Sequence, residues 1–81
     1  MKTKVVMSCI GLSLKETEGK NGKFYQISID QDGEAGSLPM TEEAYKIIAP
    51  VFKKYNPCSL TCEYNDQYKY LRVIGCSQGA R

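Results

Sequence analysis

Apolar and polar residues alternate in five segments of the chain, which is the pattern of β-strands, and a sixth segment has helical periodicity. The first strand is predicted over residues 4–14 and is apolar on both faces. Because a glycine inside a strand often marks a bulge or bend, we expect Gly11 to let this strand curve through two parts of a sheet. Residues 15–23, which contain Gly19 and the pair Asn21-Gly22, are predicted to form a mobile loop.

The second and third strands are predicted to form a hairpin. Residues 23–30 carry three apolar side chains at a spacing of two, which places them on one face and in the expected core. These residues are Tyr25, Ile27 and Ile29. Asp32 and Gly33 follow, and both tolerate the positive φ angles of a type I′ turn. Residues 35–40 then form a short return strand.

One helix is predicted after the third strand. Thr41 is a suitable cap, and two glutamates follow it in the first turn, where they favour the positive end of the helix dipole. Four apolar residues recur at spacings of three and four. This stripe is expected to close one end of the barrel that the five strands are predicted to form. They are Tyr45, Ile48, Phe52 and Tyr55. Pro50 removes a backbone donor, so we expect a kink or two short helices there.

The last two strands are predicted over residues 58–64 and 68–76. Alternate residues of this hairpin are apolar and are expected to face the core. They are Leu60, Cys62, Leu71 and Val73. The intervening positions of the second strand then lie on the outer face, which gives two aromatic rings beside a guanidinium group. Those residues are Tyr68, Tyr70 and Arg72.

This order of elements predicts a mainly β fold, a five-stranded OB-like Greek-key barrel with one short helix between strands 3 and 4. At 81 residues the chain has room for one small domain, which we assign to residues 1–76, with residues 77–81 as a disordered tail. The apolar run near the start is interrupted by lysine and serine residues and lacks a small-residue cleavage site. We therefore interpret it as a strand and expect a cytoplasmic protein.

Four cysteines are compatible with two disulfides or with a tetrathiolate zinc site. They are Cys9, Cys58, Cys62 and Cys76. Two of them share the face of Leu60 on one predicted strand, whereas zinc ligands usually lie close together on a turn. We expect all four to be buried as small apolar residues, with no metal and no other cofactor.

Histidine is absent, so the commonest general base is missing. The acidic residues concentrate near the predicted Asp32-Gly33 turn and at the helix start, where turn formation and the helix dipole explain them. We therefore expect a protein that is not an enzyme.

Charge is divided along the chain although the net charge is only +2. Residues 1–29 have five lysines against two glutamates, residues 30–43 have five acids and no base, and residues 44–81 have six bases against two acids. In the predicted barrel the first strand, the loop after it and the last hairpin would meet on one face. That face would be basic and the acidic turn would lie elsewhere.

Basic groups interleaved with exposed aromatic rings are what single-stranded nucleic acids require, because lysines contact phosphates while rings stack on unpaired bases. The stacking candidates are Phe24, Tyr64, Tyr68 and Tyr70, and the phosphate candidates are Lys15, Lys20, Lys23, Lys69 and Arg72. Alternatively, the tyrosines pack at a dimer interface or against the helix. Two other functional classes stay open: a protein-binding adaptor, which would also use the acidic segment, and a metal-binding regulator that uses the cysteines.

The chain resembles the small OB-fold single-stranded DNA-binding proteins of phages and mobile elements, including the helix-destabilising proteins of filamentous phages. The resemblance lies in the short length, the stretch Gly19-Lys20-Asn21-Gly22-Lys23-Phe24-Tyr25 and the final tyrosine-containing hairpin. It implies non-catalytic, sequence-tolerant and cooperative coating of single-stranded DNA, or of RNA, by a homodimer. It also implies a role in DNA replication and no membrane association.

Overall fold

The computed structural model describes residues 2–78, which form five β-strands, one α-helix and one 3₁₀ turn. The strands are β1 (Lys2–Gly19), β2 (Gly22–Gln31), β3 (Glu34–Met40), β4 (Pro57–Asn65) and β5 (Tyr70–Gln78). The helix is α1 (Glu42–Ile48), followed by the 3₁₀ turn (Ala49–Val51). The sheet closes into a barrel in the order β1-β2-β3-β5-β4, and β4 pairs back to β1. The predicted mainly β fold, with its short helix between the third and fourth strands, is confirmed.

Strand β1 is long enough to pair with two neighbours. Its first half, residues 2–10, pairs with β4, and its second half, residues 10–19, pairs with β2. The register with β2 shifts between Gly11 and Ser13, so the predicted bend is confirmed. The extra residue changes which side faces inward: Cys9 points to the core before the bend, and Leu14 packs against the core after it.

Gly11 lies at the bend because no larger residue fits there. Its N–H donates to the carbonyl of Asn56 at 3.0 Å, and its carbonyl accepts from the N–H of Tyr55 at 2.6 Å. A Cβ atom on Gly11 would lie 2.7 Å from the Sγ of Cys58 and 2.9 Å from a ring carbon of Phe52. Both distances are well inside van der Waals contact, so the strand, the end of the helical segment and β4 meet here without room for a side chain.

The predicted loop over residues 15–23 is wrong, because most of it is strand. Residues 15–19 pair with residues 22–26, and the turn is confined to Lys20 and Asn21. The pairing brings opposite charges together: Lys23 lies opposite Glu18 and forms an ion pair with Glu16 at 3.2 Å. Both strands are exposed here, so the segment lacks the apolar alternation by which strands are recognised in a sequence.

The last hairpin differs from its prediction at both ends. Its turn covers residues 66–69, where the Oδ1 of Asn65 accepts hydrogen bonds from the backbone N–H groups of Gln67 (3.0 Å) and Tyr68 (3.4 Å). Tyr68 therefore lies in the turn and not in β5. At the other end, β5 continues through Gln78, beyond the predicted strand end at residue 76. The rest of the predicted disordered tail, residues 79–81, lies outside the described residues.

The helical segment follows the sequence prediction as far as Val51, but residues 52–55 are not helical. The Oγ1 of Thr41 accepts a hydrogen bond from the N–H of Ala44 at 3.2 Å, which confirms the predicted cap. Pro50 lies in the 3₁₀ turn that ends the helix, as expected of a residue without an N–H. Ile48 is buried, but Tyr55 is 72% exposed, because the chain has left the helix and has a φ of +66° there. The predicted stripe is therefore wrong at Tyr55.

The core lies between the sheet and α1. The predicted face of β2 is buried, and Tyr25 also contacts the ring of Tyr45 on α1 with the ring centres 4.5 Å apart. The fully buried side chains of the other strands include Leu60, Cys62 and Val73, as the alternation of the last hairpin predicts. Burial of side chains of this size contributes about 1.5 to 3 kcal/mol each, so this layer provides most of the driving force for folding.

The barrel closes through a short seam between β3 and β5. These strands are parallel, and Met40 and Val73 form their one register pair within residues 2–78. The N–H of Thr41 adds a hydrogen bond to the carbonyl of Val73 at 3.0 Å. The seam is therefore the shortest pairing in the barrel.

None of the helices within the described residues is long and apolar enough to cross a membrane.

We expect Gly11→Ala to lower the free energy of unfolding by about 1 to 3 kcal/mol, since the new methyl group must displace Cys58 or Phe52. Gly75→Ala is the matched control, because its Cβ would lie an ordinary 3.6 Å from Thr61. Urea denaturation of the two variants and the parent protein measures the difference. Equal stability of the two variants would contradict the close approach at Gly11.

Candidate nucleic-acid interface

Tyr70 lies at the centre of the outer surface that the sequence analysis singled out. It begins β5, and its alternate neighbour Arg72 shares its outward face, while Val73 points into the core. The ring of Tyr70 borders two grooves. The β5 groove is lined by Lys2, Glu63, Asn65, Tyr68, Tyr70 and Arg72. The seam groove lies where β2, β3 and β5 meet, and its lining includes Lys23, Phe24, Gln26, Pro39, Glu42 and Tyr70.

Three aromatic rings on this surface are open to solvent. Phe24 is 56% exposed, Tyr68 is 72% exposed and Tyr70 is 47% exposed. Phe24 lies in the seam groove and Tyr68 in the β5 groove, and Tyr70 belongs to both. The two grooves are therefore joined through one aromatic ring, and rings are available on either side of it.

An ion pair crosses the outer face beside Tyr70. The Nη2 of Arg72 lies 3.1 Å from the Oε1 of Glu63, and the side chain of Glu63 is only 16% exposed. The register of β4 places Glu63 between Arg72 on β5 and Lys4 on β1. Because residues directly opposite each other share a face, one carboxylate is flanked by two cations, and the row has a net positive charge.

Two lysines of this surface were missed by sequence reasoning. Lys2 lines the β5 groove, and Lys4 lies opposite Glu63. The charge pattern predicts that the basic first strand lies near the last hairpin, but it does not indicate which lysines of that strand reach this surface. The long-range register between β1 and β4 identifies them, and it cannot be determined from local alternation.

The β1–β2 hairpin adds cations next to the seam groove. Lys23 lines the groove and is paired with Glu16; this hydrogen bond raises the pKa of Lys23. Lys15 lies opposite Gln26, another residue of the groove, and therefore shares its face. Both lysines are exposed, and Lys23 can exchange its carboxylate partner for a phosphate at little cost, because exposed ion pairs contribute about 0 to 1 kcal/mol.

The remaining candidates do not line either groove. Tyr64 is on the side of β4 that faces inward, two residues beyond buried Cys62, and is opposite Leu71. Lys20 is exposed at the tip of the β1–β2 hairpin, and Lys69 is exposed in the turn that also contains Tyr68. The structure thus brings five of the predicted residues into the grooves themselves. They are Lys23, Phe24, Tyr68, Tyr70 and Arg72.

The acidic residue of the seam groove is also neutralised. The Oε2 of Glu42 lies 2.7 Å from the Nζ of Lys46, one turn further along α1. This hydrogen bond lowers the pKa of Glu42, so the carboxylate stays ionised and paired. Each of the two acids lining the grooves therefore has a cationic partner, and neither presents an unpaired negative charge to a bound anion.

All four cysteines are free thiols, three of them buried and Cys76 half-buried. Burial raises the pKa of Cys9 to about 11 and that of Cys76 to about 12, and it also raises the pKa of Cys62. Within residues 2–78, no group of three or more His, Cys, Asp or Glu side chains is arranged to hold a metal ion. Cys9, Cys58 and Cys62 belong to the hydrophobic core, and Cys76 packs against it.

We expect the thiols of the folded protein to react slowly with iodoacetamide at pH 8. A pKa of about 11 in place of the usual 9.0 lowers the thiolate fraction of Cys9 by about 100-fold. Mass spectrometry of samples quenched over time, with and without urea, measures the rates. Alkylation of Cys9 in the folded protein at its rate in urea would contradict the burial.

The raised pKa values also have a consequence for stability. Above pH 9 the unfolded chain loses thiol protons that the folded chain retains, so the free energy of unfolding should fall as the pH rises from 9 towards 11. Replacing Cys9 with alanine removes that part of the pH dependence.

The chain matches no protein-family model and no curated protein. The candidate interface is therefore defined by its own geometry and chemistry.

Proposed function

We propose that this protein binds single-stranded DNA, without catalysis and largely independently of sequence, on the outer face around Tyr70. The observation that carries the proposal is the position of Tyr70 in both grooves. One exposed ring thereby joins the exposed rings of Phe24 and Tyr68 into a single surface with cations on both sides. This arrangement suits a chain of alternating bases and phosphates better than it suits a small ligand.

The strand order supports an OB-like Greek-key barrel as the fold family. The long bent β1 shared between β2 and β4, the parallel contact of β3 with β5, and the helix between β3 and β4 are all consistent with that plan. OB-fold proteins bind oligonucleotides on the face of strands 2 and 3 and with the loops after strands 1 and 4. The seam groove contains residues of β2 and β3, and the β5 groove includes Tyr68 of the β4–β5 turn, so both overlap that region, while the β5 groove also extends over β1, β4 and β5.

Affinity would come from two separable sources. Stacking of a base on an aromatic ring contributes about 1 to 3 kcal/mol and is insensitive to base identity, because every base has a π-face. Contacts of phosphates with lysine and arginine release counterions, so affinity falls steeply with salt. The cations that we propose for this role are Lys2, Lys4, Lys15, Lys23 and Arg72.

The resemblance to the phage proteins extends the proposal to their mode of action. It supports cooperative coating of single strands by a cytoplasmic homodimer during DNA replication. Cooperative binding is common among sequence-independent single-strand binders.

We expect titration with oligothymidine to quench the intrinsic tyrosine fluorescence at low salt, and the binding to weaken at moderate salt. Tyr70→Ala and Tyr68→Ala should each weaken binding by about 5- to 150-fold, the equivalent of one stacked base. Tyr55→Ala is the matched control, because Tyr55 is as exposed as Tyr68, at 72%, but lines neither groove. It should bind like the parent protein.

Two outcomes would contradict the proposal. One is the absence of any response of the parent protein at low salt, and the other is an equal loss of affinity in Tyr55→Ala and Tyr68→Ala. Urea denaturation of Tyr70→Ala checks that β5 still folds. Tyr68 lies in a turn, so its variant tests stacking without altering a strand.

We further expect Glu63→Gln to bind oligothymidine about 2- to 5-fold more tightly at low salt, since it releases Arg72 and Lys4 for phosphate contacts. The slope of log affinity against log salt concentration should become steeper by about 1, the equivalent of one more phosphate contact. Glu43→Gln makes the same charge change on α1, outside both grooves. An equal gain in both variants would show an effect of net charge alone and would remove Arg72 from the interface.

A further inference from the structure

One edge of β3 is unpaired along most of its length. Residues 34–40 pair with β2 on one side, but on the other side β3 meets β5 only at Met40 within the described chain. The edge from Glu34 to Leu38 therefore presents backbone donors and acceptors that no other described strand uses. Natural proteins often protect such edges with lysine, proline or a bulge. Here the sequence Glu-Ala-Gly-Ser-Leu contains small residues and no lysine.

A small apolar groove runs beside this edge. Its lining includes the apolar residues Met7, Ile29 and Leu38 and the acidic residue Glu34. Gly36 lies opposite Ile29 in the register, and a Cβ on Gly36 would meet no atom within 4 Å. Because Gly36 has no side chain, the groove is open at this position. Its volume of about 220 Å³ is below the roughly 300 to 1,000 Å³ of small-molecule sites and suits one aliphatic side chain.

The surroundings of the edge are acidic. Residues 30–38, which contain the edge and the turn before it, have three acids and no base. Asp30 alternates with Ile29 along β2 and lies opposite Ala35, and its Oδ1 is buried without a hydrogen-bond partner among residues 2–78. A strand added at the edge would place alternate side chains on the two faces. One set would enter the apolar groove, and the other would pass over the small Ala35 towards Asp30.

We infer that the β3 edge docks an extended segment of a partner protein with alternating apolar and basic side chains, which adds to residues 34–38 as a further strand. Main-chain hydrogen bonds would give affinity and the groove would give specificity, as in other complexes formed by strand addition. Nucleic acid does not fit this acidic surface. A second copy of the chain would bring the same acids against it. The site shares no residue with the two grooves around Tyr70 and does not depend on the proposed function.

The test uses a synthetic seven-residue peptide of alternating lysine and valine with blocked ends. Two derivatives of this peptide are N-methylated. The first carries methyl groups on its valine amides, and the second carries them on its lysine amides. In an extended strand these two sets point to opposite edges, so only one derivative should lose binding, by at least about 10-fold. The full chain is observed by NMR, and amides within residues 34–38 should gain protection from hydrogen exchange when the parent peptide binds.

Variants of Gly36 test the groove. Gly36→Ala should weaken peptide binding and Gly36→Val should weaken it further, because each fills the space that the valine side chain would occupy. If Gly36→Val does not fold, the pair of methylated peptides still tests the proposal on the unmodified protein.

Three results would overturn the inference. Equal binding of both methylated peptides would indicate charge attraction without strand addition. Protection of residues 34–38 that grows with protein concentration in the absence of peptide would make a second copy the occupant. The lack of saturable binding of the parent peptide at low salt would show that the edge is not a peptide site.

Discussion

The barrel depends on the close approach of three segments at Gly11. Strand β1 has 18 residues and must pair with β4 along its first half and with β2 along its second. It can do so only by bending, and the bend is possible because Gly11 has no side chain where Cys58 and Phe52 come within 3 Å of the position a Cβ would occupy. Two backbone hydrogen bonds, one donated by Gly11 to Asn56 and one accepted by Gly11 from Tyr55, fix the start of β4 at the same point. The registers that place Lys2 and Lys4 beside the last hairpin follow from that bend.

The parts of the fold that were predictable from the sequence are those in which one face of an element is buried. Burial of Ile27, Leu60 and Val73 follows from strict alternation, and the cap at Thr41 and the break at Pro50 follow from local backbone chemistry. Residues 15–19 were missed as strand because both of their faces are exposed, so that no apolar alternation marks them.

The candidate site was predictable to a similar extent and for the same reason. Tyr70 and Arg72 share an outer face because Val73 is buried, which local alternation indicates. Tyr68 reaches the same groove from a turn that the hydrogen bonds of Asn65 form, and Tyr64 lies on the inward-facing side of its strand. Lys2, Lys4 and Glu63 belong to the site through a pairing of residues some 60 positions apart in the chain. Such registers depend on the whole fold and have no local signature.

The seam between β3 and β5 closes the barrel and also borders the seam groove, so the proposed binding would involve an element on which folding depends. The seam groove is built from residues on both sides of this closure, with Phe24 on β2 and Tyr70 on β5, only three residues before Val73. The β1-β2-β3 part and the β4-β5 hairpin are joined along β1 by nine register pairs, but across the seam by one. A ligand held between Phe24 and Tyr70 would therefore contact both sides of the seam, which is the shortest strand pairing in the barrel, and would stabilise its closed form. Ligand occupancy and the opening of the seam are then thermodynamically linked, so local opening at β5 would release the ligand without global unfolding.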